Sequence, residues 1–297
     1  MTNDFAKRIE RAKRDGKFIQ TERLYLLPLC VSDAPQAFKW CGDSEVNEFL
    51  RYSVYSDVDD VAKWIEDSGY KCFGFFLRKD GQLIGSGSVE ELNSGTGVYE
   101  MGYNLAKAYW NKGYCTEASK AMLAYAVSQG ISEFSCQHAI SNVRSGRVIQ
   151  KCGFVNPEES SYTKFDGTKT FKSYVYRLHI DSVEMSVDGE WFDKIVNGGK
   201  TVELRLNDGK RRALKIGDYI ILDNLDTASD LVKCVARVTA LHIFDSFDDL
   251  YKNFDMSKCG YRKDDLPNPD DMLRYYSAER QAENGVVGIE FELICAM

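Results

Sequence analysis

The sequence is poor in histidine, with three in 297 residues, and its nine cysteines include no C-x-x-C pair. His138, His179 and His242 lie far apart and no Cys/His cluster has metal-ligand spacing, so no metal site is expected and each histidine reads first as structural. The cysteines, dispersed from Cys30 to Cys295 and odd in number, fit reduced thiols better than a disulfide framework. No run approaches the roughly 18 consecutive apolar residues of a membrane span. The opening "MTNDFAKRIERAKRDGKFIQ" is charged throughout, unlike a secretory signal. These absences lead to the expectation of a cytoplasmic protein with no membrane partner. A positive balance is missing too, the net charge being -7. Residues 1–178 carry 23 Lys and Arg against 22 Asp and Glu, leaving 15 against 23 of the totals of 38 and 45 for residues 179–297. That acidity weighs against broad, charge-driven nucleic-acid binding while leaving room for a local basic patch.

What is present fits two ordinary globular domains: 297 residues, 44% hydrophobic and 28% charged. No internal repeat, low-complexity tract or long Gly/Ser linker divides them. The reading is a charged helical extension over 1–18, a first domain over 19–178 and a second over 179–297. In the first, "TERLYLLPL" reads as a strand, "DAPQAFKWC" and "DVDDVAKWIEDSG" as helices, and "CFGFFLRKDGQLIGSGSVEEL" as a hairpin turning at Asp80-Gly81. "GVYEMGYNLAKAYW" gives another strand and "TEASKAMLAYAVSQG" a helix closed by Gly130. "EFSCQHAI", "SNVRSGRVIQKCG" and a hairpin around Asp166-Gly167 complete a mixed α/β (α+β) order, a sheet flanked by helices.

In "AYWNKGYCTEASKAMLAYA", residues Asn111 to Cys115 lie between a strand and a helix start, where backbone N–H groups lack intrahelical partners. Such a turn either binds an anion, helped by the helix dipole, or is simply a tight connection. Gly113 permits close backbone approach or a positive φ, and the small Cys115 leaves room for a diphosphate.

"TERLYLLPL", "YEMGYNLAKAYWNKGYCTEASKAML" and "SNVRSGRVIQKCGFV", in this order over roughly residues 19–178, resemble the GNAT superfamily of acyl-CoA-dependent N-acetyltransferases, in its branch similar to ribosomal-protein N-acetyltransferases. The resemblance implies acetyl-CoA as cosubstrate, no metal, and direct attack by an amine on a small molecule or protein N-terminus. It implies a coenzyme A loop of Trp110, Asn111, Lys112, Gly113, Tyr114, Cys115 and Thr116. The family pattern Q/R-x-x-G-x-G/A falls on Trp110, Gly113 and Cys115, so Trp110 replaces a polar residue and Cys115 a glycine or alanine. Lys112 either adds charge near phosphate or is solvated. The backbone of Met101, Tyr103 and Leu105 would pair with the pantetheine arm, and Asn142 matches an asparagine that contacts it near the thiol.

Acetyl transfer needs a deprotonated amine and a thiolate that can accept a proton. The tyrosine that many relatives place seven residues after the asparagine is here Ile149. Ser145 is then either the hydroxyl that meets the leaving sulfur or a helix-surface serine, and Glu100 either the base, directly or through water, or a strand-edge glutamate without a role. Cys115, Cys136 and Cys152 receive no nucleophilic role and read as small hydrophobes. The acceptor side is expected along "CGDSEVNEFLRYSVYSDVDDV", where Asp57, Asp59 and Asp60 sit as acids favouring a helix start.

In the second domain, alternation puts Thr201, Glu203 and Arg205 on one strand face and Val202, Leu204 and Leu206 on the other. The polar face is either solvent-exposed or a site. "GGKTVELRLNDGKRRALKIGD", "VARVTALHIFDSFDDLY" and "ENGVVGIEFEL" resemble the ASCH domain, a small β-barrel with helices related to the PUA RNA-binding fold, over about residues 180–296. The resemblance implies a cleft holding Lys200, Thr201, Glu203 and Arg205, and RNA or a nucleotide-like ligand as partner. With Lys210, Arg211 and Arg212, Lys200 and Arg205 would form a basic strip. Some small ASCH proteins hydrolyse acetylcytidine, but their catalytic threonine falls here on Glu203. The leading expectation is an acetyltransferase with an ASCH ligand-binding module. The alternatives are an RNA- or nucleotide-binding protein with a non-catalytic, acyl-CoA-sensing first domain, and amidohydrolase chemistry in the second.

Overall fold

The computed structural model describes residues 3–69 and 71–297. The chain divides into two compact units, one running to Ile180 and taking in Met297, the other Asp181–Ala296.

The first unit contains α1 (Asn3–Arg14), β1 (Ile19–Gln20), β2 (Leu24–Pro28), α2 (Ala34–Cys41), α3 (Val58–Asp67), β3 (Phe73–Leu77), β4 (Leu83–Glu91), β5 (Val98–Leu105), α4 (Tyr114–Ser128), β6 (Glu133–Ala139), α5 (Val143–Lys151), β7 (Val155–Thr163) and β8 (Thr170–His179). Its strands run in the order β7-β8-β6-β5-β4-β3-β2-β1. Pairing is antiparallel except between β5 and β6. The hairpin glycines Gly81 and Gly167 take φ +73 and +72, and Gly130 follows α4 at φ +84. Asp57 is the N-cap of α3, its carboxylate accepting the Asp60 N–H at 2.9 Å, so the acids at 57–60 serve the helix start. α1 buries Ile9 and Ala12, and its Arg8 forks onto Asp33 at 2.7 and 2.8 Å.

Small residues set how closely the layers approach. α4 presents Ala118, Ala121 and Ala124 to the core. A Cβ on Gly87 of β4 would fall 2.7 Å from the Gly102 carbonyl and 2.8 Å from the Met122 methyl, so only glycine fits there. β5 is shorter than the extended run suggested: Lys107–Tyr109 forms a 3-10 turn, and the Trp110 indole donates back to the Leu105 carbonyl at 2.7 Å.

The second unit contains β9 (Ser182–Val187), α6 (Gly189–Val196), β10 (Val202–Leu206), α7 (Gly209–Arg212), β11 (Tyr219–Asn224), β12 (Lys233–Phe244), α8 (Phe247–Asn253), α9 (Ala278–Asn284) and β13 (Val286–Ala296). The strand order is β10-β13-β12-β11-β9. β12 and β13 pair through two register shifts, which bend the sheet around a core containing Phe192, Ile220, Val238 and Ile289. Among the described residues no ladder joins β10 to β9. Side chains span that gap instead: Arg205 donates to the Ser186 carbonyl at 2.6 Å and Lys210 to that of Glu184 at 2.5 Å.

Candidate active site

β5 and β6 stay paired for only three residues, Val98 to Glu100 against Glu133 to Ser135. Beyond that point they diverge, so from Met101 to Leu105 one edge of β5 pairs with β4 while the other faces an opening. The Cys136 thiol donates to the Met101 carbonyl at 3.2 Å, where the gap starts. The opening belongs to a cavity of about 1080 Å³ that runs past Trp110, Asn111, Gly113, Cys115 and Thr116 and also takes in Glu100, Asn142 and Ser145.

At one end of it, Asn111 and Gly113 take φ +59 and +82. The first amide of α4 with a helical partner is that of Glu117, which bonds the Gly113 carbonyl at 3.0 Å, so the N–H groups of Tyr114, Cys115 and Thr116 emerge at the helix start. Arg23, from the edge of β2, fixes this turn: its Nη1 donates to the Lys112 carbonyl at 2.9 Å, its Nε to Glu117 at 2.6 Å, and its guanidinium lies 4.4 Å from the Tyr114 ring. A Cβ on Gly113 would sit 3.2 Å from the same guanidinium. Lys112 turns away, its Nζ donating to the Ala108 carbonyl at 2.9 Å. Arg144 of α5 stacks 4.5 Å over Trp110. Lys112 and Tyr114 are thus engaged outside the cavity, while the other five residues of the turn line it.

Farther along, Asn142 caps α5, its side-chain oxygen accepting the Ser145 N–H at 3.2 Å. The Ser145 and Tyr103 hydroxyls are 2.9 Å apart, and the phenol also reaches the Ser145 carbonyl at 3.1 Å. Burial holds the Tyr103 phenol well above its ordinary value, so it stays protonated. Ile149 is fully buried. Glu100 is raised above the usual carboxylate range by burial, with Arg51 partly opposing the shift. All nine cysteines are thiols. Burial pushes Cys152 up to about 12 and raises Cys115 and Cys136 as well, which disfavours the nucleophilic thiolate.

The far wall is the loop between α2 and α3, tied to the β7–β8 hairpin. Tyr162 donates to the Phe49 carbonyl at 2.6 Å, Lys164 to that of Asn47 at 3.0 Å, and the Phe165 N–H to that of Arg51 at 2.7 Å. The Ser53 hydroxyl bonds Asp166. Within the loop, Tyr52 accepts from Asn104 of β5 at 2.8 Å, and Asn104 accepts from Ser86 at 2.9 Å. Glu90 and Glu100 stand directly opposite each other across β4 and β5, and both line the cavity. The acids facing the cavity from the loop are Glu45 and Glu48 rather than those of α3. Arg23, Arg51 and the Tyr103 phenol were not read from the sequence; Arg23 and Arg51 meet partners 94 and 86 residues away.

In the second unit the polar face of β10 is buried rather than solvated: Lys200 is 5% exposed and Glu203 4%. Lys200 Nζ donates to the carbonyls of Val202 at 2.8 Å and Cys259 at 3.2 Å and lies 5.2 Å from the Trp191 ring. Glu203 Oε1 meets Arg205 at 2.7 Å, while Oε2, 3.4 Å from Lys200, accepts no hydrogen bond. The Thr201 N–H bonds the Lys258 carbonyl at 2.8 Å. The expected basic strip is spent on the protein itself. Besides Lys200, Arg205 and Lys210, Arg211 pairs with Asp208 at 2.7 Å and Arg212 donates to the Asn284 carbonyl at 3.1 Å. Among the described residues no cluster of metal-holding side chains occurs and no helix is long and apolar enough to cross a membrane.

A model of the acetyltransferase (GNAT) domain matches residues 23–155, and one of the ASCH domain matches residues 185–295. The chain is 30% identical over 142 residues to the uncharacterized N-acetyltransferase YnaD of Bacillus subtilis (strain 168), covering 46% of this chain and 81% of that protein. It is 23% identical over 144 residues to the uncharacterized N-acetyltransferase p20 of Bacillus licheniformis, with coverages of 46% and 81%. A solved GNAT-family acetyltransferase from Bacillus anthracis is 25% identical, with coverages of 55% and 98% and a TM-score of 0.49.

Proposed function

Since the chain belongs to the GNAT N-acetyltransferases, with an ASCH domain following the catalytic one, we propose that the opening between β5 and β6 is where acetyl-CoA delivers its acetyl group to an amine. The chain is an acyltransferase and acetyl-CoA is its donor. The observation that carries the placement is the continuity of one cavity from the start of α4, where Gly113, Cys115 and Thr116 line it, along the free edge of β5, to Glu100. The amides and the α4 dipole suit the coenzyme's diphosphate, with Arg23 holding the Lys112 carbonyl aside. The N–H and C=O groups of Met101 to Leu105 suit the amides of the pantetheine arm.

Glu100, its carboxyl raised by burial, takes the proton from the acceptor ammonium, directly or through water. As the C–N bond forms and the C–S bond breaks, Ser145 donates a hydrogen bond to the leaving sulfur. The thiolate takes the proton that the acylated nitrogen releases, and Tyr103, whose phenol stays protonated 2.9 Å away, positions the Ser145 hydroxyl for that contact.

For the second unit we propose a nucleoside or an RNA base, held at Lys200, Thr201, Glu203 and Arg205. Glu203 Oε2, buried 3.4 Å from Lys200 without a hydrogen bond, accepts from a ligand N–H that opens this contact, whereas a buried carboxylate repels phosphate. The sequence's nucleic-acid expectation is thereby narrowed to base-edge recognition. Calorimetric titration with acetyl-CoA and with nucleosides, followed by thiol release over a panel of amines, tests both readings. Saturable acetyl-CoA binding and amine-dependent thiol release are expected. Binding without release from any amine would leave the first unit a sensor, and no heat from any nucleoside would remove the second.

A further inference from the structure

The acceptor end of the cavity carries acidic and basic groups that do not pair directly with one another. Glu90 and Glu100 oppose each other across β4 and β5 and both line the cavity, so a bound ammonium meets two carboxyl groups. Arg51 presents the opposite demand. Its Nη2 is held by an uncharged group, the Gln137 amide oxygen at 2.5 Å, and Gln137 is in turn anchored on Ser173 at 2.8 Å. The guanidinium lies 5.1 Å from the Tyr162 ring, and the Arg51 carbonyl is fixed by the Phe165 N–H at 2.7 Å. The cation is therefore aimed and oriented without being neutralised by its immediate partners. It lines the same cavity as Glu100 and acts on that carboxyl electrostatically.

An acceptor that is only a cation would satisfy the two glutamates and leave the exposed Arg51 guanidinium without a counter-ion. A planar guanidinium held by one edge keeps its remaining N–H groups for a carboxylate or phosphate. Resting on the acetyltransferase reading, we infer that the acceptor is a small amine that also bears an anionic group, its nitrogen at Glu100 and its anion on Arg51. The rings of Tyr162 and of Phe165, the latter 76% exposed, give its body an aromatic wall.

Acetyl transfer by the full chain, measured with two matched pairs, tests this: L-phenylalanine against phenethylamine, and phosphoethanolamine against ethanolamine. In one pair the anionic member is expected to have a kcat/KM about tenfold or more above its partner. Arg51→Gln should erase most of that ratio and Arg51→Lys part of it, and the responsive pair identifies carboxylate or phosphate. Neutral members used equally well or better in both pairs, or a ratio that survives Arg51→Gln, would overturn the inference while leaving the transferase intact. If acetyl-CoA binds and no amine is acetylated, the transferase reading fails on its own. Titration of the coenzyme A-loaded protein with the two anionic probes then decides Arg51. Binding weakened by Arg51→Gln keeps the site, and absent or unaltered binding removes it.

Discussion

In the first unit Arg51 and Glu100 face one cavity, and Arg51 is held by an amide rather than by the carboxylate. In the second unit Arg205 and Glu203 meet directly at 2.7 Å, with Lys200 closing the group from the other side. Both arrangements set a strand carboxylate against an arginine, Glu203 with Arg205 of the same strand and Glu100 with Arg51 of the exposed loop between α2 and α3. They differ in whether the protein or something else completes them. Where the partners have collapsed on one another, charge serves the fold and one carboxylate oxygen is left without a hydrogen bond. Where they are held apart, by Gln137 at one point and by the strand register at another, the field is left for a substrate. The proximity of ionisable residues in a sequence therefore says less about function than what satisfies each of them.

The largest effect expected from breaking this contrast is in the second unit. Glu203→Leu leaves Lys200 and Arg205 buried without their counter-ion, which should cost about 3–5 kcal/mol. Denaturant unfolding checks it, and a loss under 1 kcal/mol would mean the cations relax into solvent. The corresponding change in the first unit should act on rate instead. Glu100→Gln should lower turnover about a hundredfold or more, as for removal of a general base. Because burial raises the Glu100 pKa in the fold, the folded state binds more protons than the unfolded one above the usual carboxylate range. Ionising Glu100 thus lowers stability as pH rises. Glu100→Gln should then unfold no earlier than the wild type at neutral pH, and the acid limb of the wild-type rate should lie above the ordinary carboxylate range.

A loss of stability smaller than that of Glu203→Leu is expected at the turn. Gly113→Val forces a branched side chain to φ +82 against Arg23, a strain of about 1–3 kcal/mol, and should abolish acetyl-CoA affinity while the second unit keeps its stability. The smallest is at Tyr103→Phe, which keeps the packing and removes the phenol behind Ser145. A decrease of about tenfold in kcat, with KM for acetyl-CoA held, is expected from losing the hydroxyl that positions Ser145. Equal changes in both constants would make Tyr103 a packing residue.

Much of the first site was legible because it is local. Gly113, Cys115 and the helix that follows form one continuous stretch, and Asn142 and Ser145 share a single helix turn. What escaped depends on distant segments. The Tyr103 phenol meets a serine 42 residues on, and Arg23 reaches a glutamate across 94. Periodicity put Tyr103 on β5 but gave its side chain no partner. On β10 the alternation grouped Thr201, Glu203 and Arg205 and left open whether their face was solvated. The segment Met256–Cys259 and Trp191 decide it by covering Lys200. The strand gap beside β9 was illegible for the same reason, since Arg205 and Lys210 close it by reaching carbonyls 19 and 26 residues away.

Amide hydrogen exchange on the full chain, with and without saturating acetyl-CoA, addresses the contrast most directly. Added protection is expected at residues 101–105 and at 113–116, with residues 200–206 unchanged. Protection confined to 200–206, or none along β5 and the start of α4 in folded protein, would contradict it.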